Sequence, residues 1–452
     1  MTDFLLTDTL TRANKRSLKA KKNILASLIF KGGSIMCSFA LVPLTLHYLD
    51  TTKYGIWVTL TSIVSWFSFF DIGLGNGLRN KLAEAIAKND EKLAAQYVST
   101  TYALLIFISL ILFILFNIVN TFIKWDYILN APPGINSELS LLALIVFGFF
   151  CLKFVLQLIN IILTANQLPA INSFNNFMSN IISLVAIYLL TIFTQGSILF
   201  LGLIICLSPV VVLTIVSIFF FNNEYKNYKP ARSNIDLSKI KELSGLGIQF
   251  FIIQISAIIL FTTDNLIITR LYGPAEVTPY DIAYKYFGII VLLFSIINLP
   301  FWSAYTEAYQ KNDIEWIRNV NKKLKKTWVV LTILGLVLLV LSNIIYKIWV
   351  GSEINIPILL SIFMFIYVIE FNWGSIYVSF INGIGKIRLQ MIFSIVTGIL
   401  NIPLSIFFAK YLDLGISGII LATILCSFYG PIIGQIQFRM LLNKSARGIW
   451  NM

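Results

Sequence analysis

The most regular feature of the sequence is the alternation of long apolar blocks with short polar breaks. Each block has about 20 residues or more, the length that a helix needs to cross roughly 30 Å of hydrocarbon at 1.5 Å per residue. The pattern therefore predicts an all-α polytopic membrane protein. The twelve predicted transmembrane helices lie near residues 24–46, 54–75, 98–122, 139–164, 170–194, 197–221, 246–271, 279–307, 325–349, 356–381, 388–410 and 413–438.

The basic residues between these helices predict how the chain crosses the membrane. Most Lys and Arg residues outside the spans lie in one alternate set of segments, and five lie in the opposite set: Lys53, Lys124, Arg270, Lys347 and Lys410. Because cytoplasmic loops carry the excess of Lys and Arg, both ends of the chain are expected in the cytoplasm. The net charge of +13 is thus explained by topology, and no nucleic-acid partner is expected.

The two halves of the chain repeat each other. Residues 84–90 (EAIAKND) follow the second predicted helix and residues 307–313 (EAYQKND) follow the eighth, with five of seven positions identical. Six crossings return the chain to its starting side, so the halves should be related by a pseudo-two-fold axis along the membrane normal. The predicted organisation is a basic cytoplasmic tail at 1–23, a six-helix lobe at 24–221, a cytoplasmic linker at 222–245, a second six-helix lobe at 246–438 and a cytoplasmic tail at 439–452.

Several apolar helices carry polar residues at i, i+4, i+7 and i+11, which places them on one helix face. These stripes are Ser27, Lys31, Ser34 and Ser38 in the first span, Lys153, Gln157, Asn160 and Thr164 in the fourth, Asn172, Asn176, Ser179 and Ser183 in the fifth, and Gln390, Ser394, Thr397 and Asn401 in the eleventh. Spans three, six, nine and twelve lack such a stripe and are expected at the lipid-facing periphery. For the hydroxyl groups taken alone, hydrogen bonding between helices is the favoured explanation, and a polar cavity is the alternative.

Charged residues favour the cavity, because a charge near the centre of a membrane helix costs about 2.5–3.5 kcal/mol. Lys31, Lys153, Asp264 and Glu370 fall inside predicted spans, whereas Asp281 and Lys285 have the i, i+4 spacing of an ion pair. Ammonium groups in a cavity would hold an anionic headgroup such as a diphosphate. The carboxylates would keep those lysines charged, or would take up a proton or Na⁺.

Composition and motifs give little support to catalysis. Only 12% of residues are charged, where a soluble protein carries about a quarter, so a soluble enzyme is excluded. The sequence lacks a GxxxxGK[ST] phosphate loop, and its single histidine, His47, has no second His or Cys nearby to complete a metal site. We therefore expect no catalytic residues, no metal and no cofactor.

Three segments of the sequence resemble a known family. They are Tyr54–Trp57 (YGIW), Phe70–Ala85 (FDIGLGNGLRNKLAEA) and Thr263–Gly273 (TDNLIITRLYG) followed by Val277–Tyr280 (VTPY). These segments are similar to those of the Wzx-type O-antigen and capsule flippases, polysaccharide biosynthesis proteins of the multidrug/oligosaccharidyl-lipid/polysaccharide exporter superfamily. The resemblance implies a V-shaped pair of six-helix lobes in the bacterial inner membrane, with spans one, two, seven and eight lining a cationic central cavity. The implied substrate is an undecaprenyl-diphosphate-linked oligosaccharide, and the implied partners include a glycan polymerase and a chain-length protein.

By position, the resemblance also implies a set of cavity residues. Lys31, Arg270 and Lys285 match the basic cavity residues of the family in character, and Asp71 and Asp264 fall at its acidic positions. Lys153 and Glu370 join this set through periodicity alone. Two alternatives stay open: an ion-coupled multidrug exporter with the same fold, and a membrane-embedded glycan polymerase or glycosyltransferase.

Overall fold

The computed structural model describes residues 26–451 except 72–73, 167, 244–252, 254, 257–261 and 299–300, and these residues form helices without any strand. Ten of the helices are long and apolar enough to cross a membrane. The helices used below are α1 (Ala26–Tyr48), α2 (Thr51–Ser65), α3 (Leu74–Ala87), α4 (Glu91–Asn120), α5 (Asn136–Ala165), α6 (Pro169–Phe193), α7 (Ile198–Asn222), α8 (Asp264–Tyr272), α9 (Val277–Asn298), α10 (Phe301–Gln310), α11 (Ile314–Val350), α12 (Ile358–Gly383), α13 (Arg388–Tyr411) and α14 (Ile416–Leu442).

Two of the twelve predicted spans differ from the described helices. The second is interrupted, because α2 ends at Ser65 and passes into a 3-10 turn over Trp66–Asp71. The hydroxyls of Ser62 and Ser65 accompany this change by donating to the backbone oxygens of Val58 and Ser62, at 2.9 and 2.6 Å. Half of the seventh predicted span falls outside the described residues, and its described end is α8.

The repeated sequence motif forms the same turn twice. Asn89 and Asn312 both adopt the left-handed conformation, with φ of 54° and 55°, which asparagine tolerates better than most residues. The next residue, Asp90 or Asp313, accepts a hydrogen bond from the backbone N–H three positions later, at 2.9 and 3.0 Å, and so caps α4 or α11. The repeated motif therefore joins two helices by the same capped turn at both places, before α4 and before α11.

The contacts divide the chain into two compact units. Among the described residues, unit 1 contains residues 26–48, 70–123 and 137–243, and unit 2 contains residues 49–69, 124–136 and 253–451, with the gaps given above. Thus α2 and the loop after α4 belong with the C-terminal residues, whereas α1 and α3 to α7 form unit 1.

In unit 1, residues of the stripes predicted on α1 and α5 bond to α6, mainly through α6 residues that lie outside its own predicted stripe. Asn180 of α6 donates to the hydroxyls of Ser34 and Ser38 on α1, at 2.8 and 3.0 Å. On its other side, α6 faces α5, where Asn175 donates to Asn160 Oδ1 at 2.8 Å. Most of these neutral groups therefore bond helix to helix.

The predicted linker packs onto unit 1 as an ordered strap, residues 222–243. Asp236 N and Ala231 N donate to the hydroxyls of Thr100 and Ser99 on α4, at 3.0 and 3.1 Å. The end of the strap lies against α3, where a Cβ on Gly77 would come within 1.9 Å of the Leu243 carbonyl oxygen. Glycine at 77 is what allows this backbone approach.

Candidate functional site

The first candidate site is a charged triad in unit 2. Lys285 Nζ donates to Asp281 Oδ2, one turn earlier on α9, at 2.7 Å, and to the Tyr54 hydroxyl at 3.0 Å. The same hydroxyl donates to Asp281 Oδ2 at 2.6 Å. The Asp281 side chain is only 12% exposed but that of Lys285 is 41% exposed. The triad therefore fixes the ammonium group on one side and leaves the other side open.

Close backbone packing brings Tyr54 to this position. A Cβ on Gly55 would lie 1.7 Å from the Pro274 carbonyl oxygen, so α2 can touch the turn before α9 only with glycine there. Two further bonds hold α2 in place: Thr278 donates to the Thr51 carbonyl oxygen at 2.8 Å, and the hydroxyls of Thr59 and Thr269 lie 2.7 Å apart.

The second candidate site surrounds Asp264 at the start of α8. This carboxyl group is 4% exposed, and its Oδ2 accepts hydrogen bonds from the Tyr280 hydroxyl and, at 3.4 Å, from Thr423 Oγ1. Asn401 Nδ2 donates to Thr423 Oγ1 at 3.1 Å. Within the described part of the chain, Asp264 Oδ1 and Asn401 Oδ1 are both buried without a hydrogen-bond donor. Buried oxygens of this kind require an explanation, and a bound cation or a proton supplies one.

Glu370 of α12 lies beside α14, the helix that carries Thr423. Both of its carboxylate oxygens are 3.1 Å from Ser427 Oγ, and the side chain is 7% exposed. Ser427 follows Thr423 by one helical turn, so α14 presents one hydroxyl to each buried carboxyl group. The described Lys and Arg residues form no salt bridge with Asp264 or Glu370.

The other predicted site residues are more dispersed. Lys31 is half-buried on α1 and Lys153 is exposed on α5, both in unit 1, and neither forms a salt bridge with a described carboxylate. Arg270, at the exposed end of α8, donates to the Tyr127 carbonyl oxygen and places its guanidinium carbon 4.2 Å from that ring. The side chain of Asp71 lies outside those that the structure describes.

Sequence reasoning missed the neutral partners of these charges. Tyr54 lies inside a recognised motif, but its contact with Asp281 joins residues 227 positions apart. Thr423 and Ser427 belong to the twelfth span, which we predicted to face lipid. That prediction is wrong, because 61% of the most apolar part of α14 is buried in the structure, against 17% for α11. Small and aliphatic side chains pack this helix inside unit 2, so it is buried although it has no polar stripe.

The fold and these sites define a multi-pass membrane protein with buried charges. A family model described as "Polysaccharide biosynthesis protein" matches residues 20–304, and the chain belongs to this family. The resemblance noted in the sequence is thereby confirmed.

Curated relatives match over most of their length. A putative O-antigen transporter of Salmonella typhimurium is 25% identical over 85% of this chain and 88% of its own. A putative O-antigen export protein of Yersinia pseudotuberculosis is 22% identical over 78% and 81%.

Solved structures share the fold. An inward-facing multidrug resistance transporter of the MATE family, in the MOP superfamily, superposes with a TM-score of 0.72 at 15% identity, over 94% of this chain and all of the other. A MOP superfamily transporter from Pyrococcus furiosus gives a TM-score of 0.65 at 14% identity, over 95% and 97%. At these identities the likeness establishes the fold alone.

Proposed function

We propose that this protein is a flippase of the bacterial inner membrane, with both termini cytoplasmic. It moves undecaprenyl-diphosphate-linked oligosaccharides from the cytoplasmic to the periplasmic leaflet, for O-antigen, capsule or exopolysaccharide assembly. Twelve crossings in two six-helix lobes would alternate access to the two sides. The relatives named as O-antigen transporters support the substrate class.

The observation that carries the proposal is the triad at Lys285. The Lys285 ammonium group, on a helix of membrane-spanning length, is held by Asp281 and Tyr54, and almost half of the Lys285 side chain is exposed. Lysine binds phosphate as a point charge, so this group suits a diphosphate. Lys31, with Arg270 or Lys153, would supply further charge. Inside-negative voltage favours outward movement of the anion by about 2.3 kcal/mol per charge per 100 mV.

Asp264 and Glu370, with Asp71, are the proposed coupling residues. The unpartnered oxygens of Asp264 and Asn401 support a role in taking up a proton or Na⁺. The neutral variant Asp264→Asn keeps a similar shape and should fold normally. We expect it to abolish any dependence of transport on an ion gradient while retaining substrate binding.

The central test replaces Lys285 by Ala in cells that lack their own flippase. We expect surface polysaccharide to fall at least tenfold and the lipid-linked precursor to accumulate in the cytoplasmic leaflet. Lys285→Arg, which keeps the charge, should retain part of the export. Lys124→Ala, which alters an exposed lysine outside the membrane helices, is the matched control. Export at the parental rate by a normally inserted Lys285→Ala protein would refute the headgroup role.

A multidrug exporter is the second candidate, favoured by the buried carboxyl groups of unit 2 and by the shared fold. The same strains distinguish the two. If expression raises resistance to cationic drugs and leaves surface polysaccharide unchanged, the exporter is the correct assignment.

A further inference from the structure

A groove of about 690 Å³ opens on the surface of unit 2 between α11, α12 and α14. Its volume lies within the range of about 300–1,000 Å³ that is typical of ligand sites in proteins. Aromatic and aliphatic side chains form most of its walls, with one cation at an end. The main lining residues are Trp328, Phe365, Ile369, Trp373, Phe428 and Arg439.

Arg439 in the lining of this groove has a second cation nearby, Lys325, which lies over the lining residue Trp373. Lys325 Nζ lies 5.5 Å from the ring centroid of Trp373 and 5.7 Å from that of Tyr377. Arg439 lines the groove and is close enough for its charge to act on Lys325. Neither cation forms a salt bridge with a carboxylate in the described ranges. Since like charges repel, a neighbouring anion would stabilise this arrangement.

The remainder of the groove is mostly apolar, apart from Thr332, Glu370 and Gln435, and it runs into the membrane-spanning part of α11. This helix has 37 residues, and at 1.5 Å per residue it is about 55 Å long, well beyond the roughly 30 Å of hydrocarbon. Lys325 lies where its polar first turns give way to the apolar stretch, and Trp328 follows at the interface. Three residues of α12 are spaced by one helical turn each and lead in the same direction, into the membrane: Trp373, Ile369 and Phe365. From its cationic end into the membrane, the groove therefore presents charged, then interfacial aromatic, then aliphatic side chains. This order matches the headgroup, the interfacial region and the acyl chain of a lipid.

Glu370 also borders the groove, but its two oxygens point to the Ser427 hydroxyl on α14. It lies one turn farther into the membrane than Trp373. No salt bridge joins this carboxyl group to Lys325 or Arg439 among the described residues.

We propose that the groove binds an anionic glycerophospholipid of the cytoplasmic leaflet. Lys325 and Arg439 would hold its headgroup phosphate, and one acyl chain would lie along Trp328, Ile369 and Phe365. The two free phosphate oxygens of a glycerophospholipid can accept hydrogen bonds from both cations, and none of the lining residues belongs to the set assigned to the substrate's diphosphate. The bound lipid would tie α11, α12 and α14 together, so that the stability of unit 2 depends on anionic lipid.

The test titrates dioleoyl phosphatidylglycerol or dioleoyl phosphatidylcholine onto the full-length protein in neutral detergent. Native mass spectrometry would count bound lipid, and the melting temperature would report stabilisation. Phosphatidylglycerol should bind and raise the melting temperature. Phosphatidylcholine should bind with at least tenfold lower affinity and stabilise the protein less. The double variant Lys325→Gln/Arg439→Gln should lose this preference, because each basic residue beside an anionic lipid contributes a several-fold change in affinity. Lys322→Gln/Lys323→Gln, at exposed positions of the same helix, is the matched control and should keep it.

A second measurement does not depend on the variants folding. Phosphatidylglycerol with a photoreactive acyl chain should crosslink the parental protein at residues 365–373 and 428–436. Equal binding of the two phospholipids, or crosslinks elsewhere, would overturn the proposal. Tighter binding of undecaprenyl phosphate, displacing phosphatidylglycerol from these residues, would assign the groove to an isoprenoid lipid instead. Because the readouts are binding and stability, they stand even if the transport assignment fails.

Discussion

Both units carry polar side chains in membrane helices, but they use them differently. In unit 1, Asn180 bonds with Ser34 and Ser38, and Asn175 bonds with Asn160, so neutral groups satisfy neutral groups between helices. In unit 2, the bonded groups include carboxylates: tyrosine and lysine bind Asp281, and Asp264 and Glu370 lie buried beside hydroxyls.

The difference shows what a polar stripe means. A periodic stripe identifies a face that avoids lipid, and both units have such faces. Neutral interhelical bonds in membranes average about 0.6 kcal/mol, which makes them ordinary packing. A buried charge costs several times more, so its retention indicates a function. The charged positions of unit 2, and the isolated lysines of unit 1, are therefore where function should be sought.

The largest effect on stability is expected for Gly55→Ala, because it would separate α2 from the turn at Pro274. The added Cβ would overlap a backbone oxygen that cannot move aside. We expect a loss of about 2–3 kcal/mol, the upper part of the range for overpacking. Thermal unfolding in detergent would measure it. Gly288→Ala, where nothing lies within 4 Å of the new Cβ, is the control and should be neutral or slightly stabilising. Equal melting temperatures for the two variants would show that α2 does not depend on this contact.

A smaller effect is expected for Asp281→Asn, which leaves Lys285 without its counter-ion. Removing one partner costs about 3–5 kcal/mol for a buried pair, and the whole of an exposed pair is worth about 0–1 kcal/mol. Lys285 is 41% exposed, so we expect roughly 1–2 kcal/mol by thermal unfolding. The double variant Asp281→Asn/Lys285→Met should recover part of the loss. Lys31→Met, which removes a lysine without a salt bridge in unit 1, should cost nothing. If Lys31→Met destabilises as much as Asp281→Asn, the two units do not differ in the proposed way.

These contrasts also show how far the sequence alone could lead. Apolar block length predicted the membrane helices, and i, i+4 spacing predicted the Asp281–Lys285 pair, since both signals are local. The third member, Tyr54, comes from another helix, and its contact depends on glycine at 55. The stripe predicted on α6 was only partly correct: Asn176 is exposed, whereas Asn175, outside the stripe, is 1% exposed. Because α6 is bonded on two sides, one helical period could not describe it.

In unit 1, Asn180→Ala should have a moderate effect. Its amide group has two protons, so it donates at most two hydrogen bonds to α1 at once, worth about 1 kcal/mol together. The exposed Asn176 on the same helix is the matched control, and Asn176→Ala should leave the melting temperature unchanged. Surface polysaccharide should be normal in both variants. A transport defect in Asn180→Ala without loss of stability would mean that this face lines a substrate path, and the contrast between the units would disappear.

The smallest effect is expected in the strap of unit 1, where an exposed charge contact holds residues 236–243 to α4. The Tyr97 hydroxyl and then Lys239 donate to Glu242, at 3.0 Å for the lysine, and these bonds hold the pKa of Glu242 below its ordinary value. A lowered pKa means that the contact stabilises fully above the ordinary value of about 4.3 and is lost as pH falls through the folded-state pKa. Hydrogen exchange of the strap, corrected for intrinsic rates, should therefore be slow at pH 7 and faster once the pH is well below the ordinary value, at about pH 3. Glu242→Gln should show the faster exchange already at pH 7 and little further change, whereas Glu224→Gln, also in the strap, should behave like the parental protein. If the strap of Glu242→Gln exchanges as slowly at pH 7 as that of the parental protein, the backbone bonds to Thr100 and Ser99 hold the strap without this charge. Neutral hydrogen bonding would then be the rule throughout unit 1.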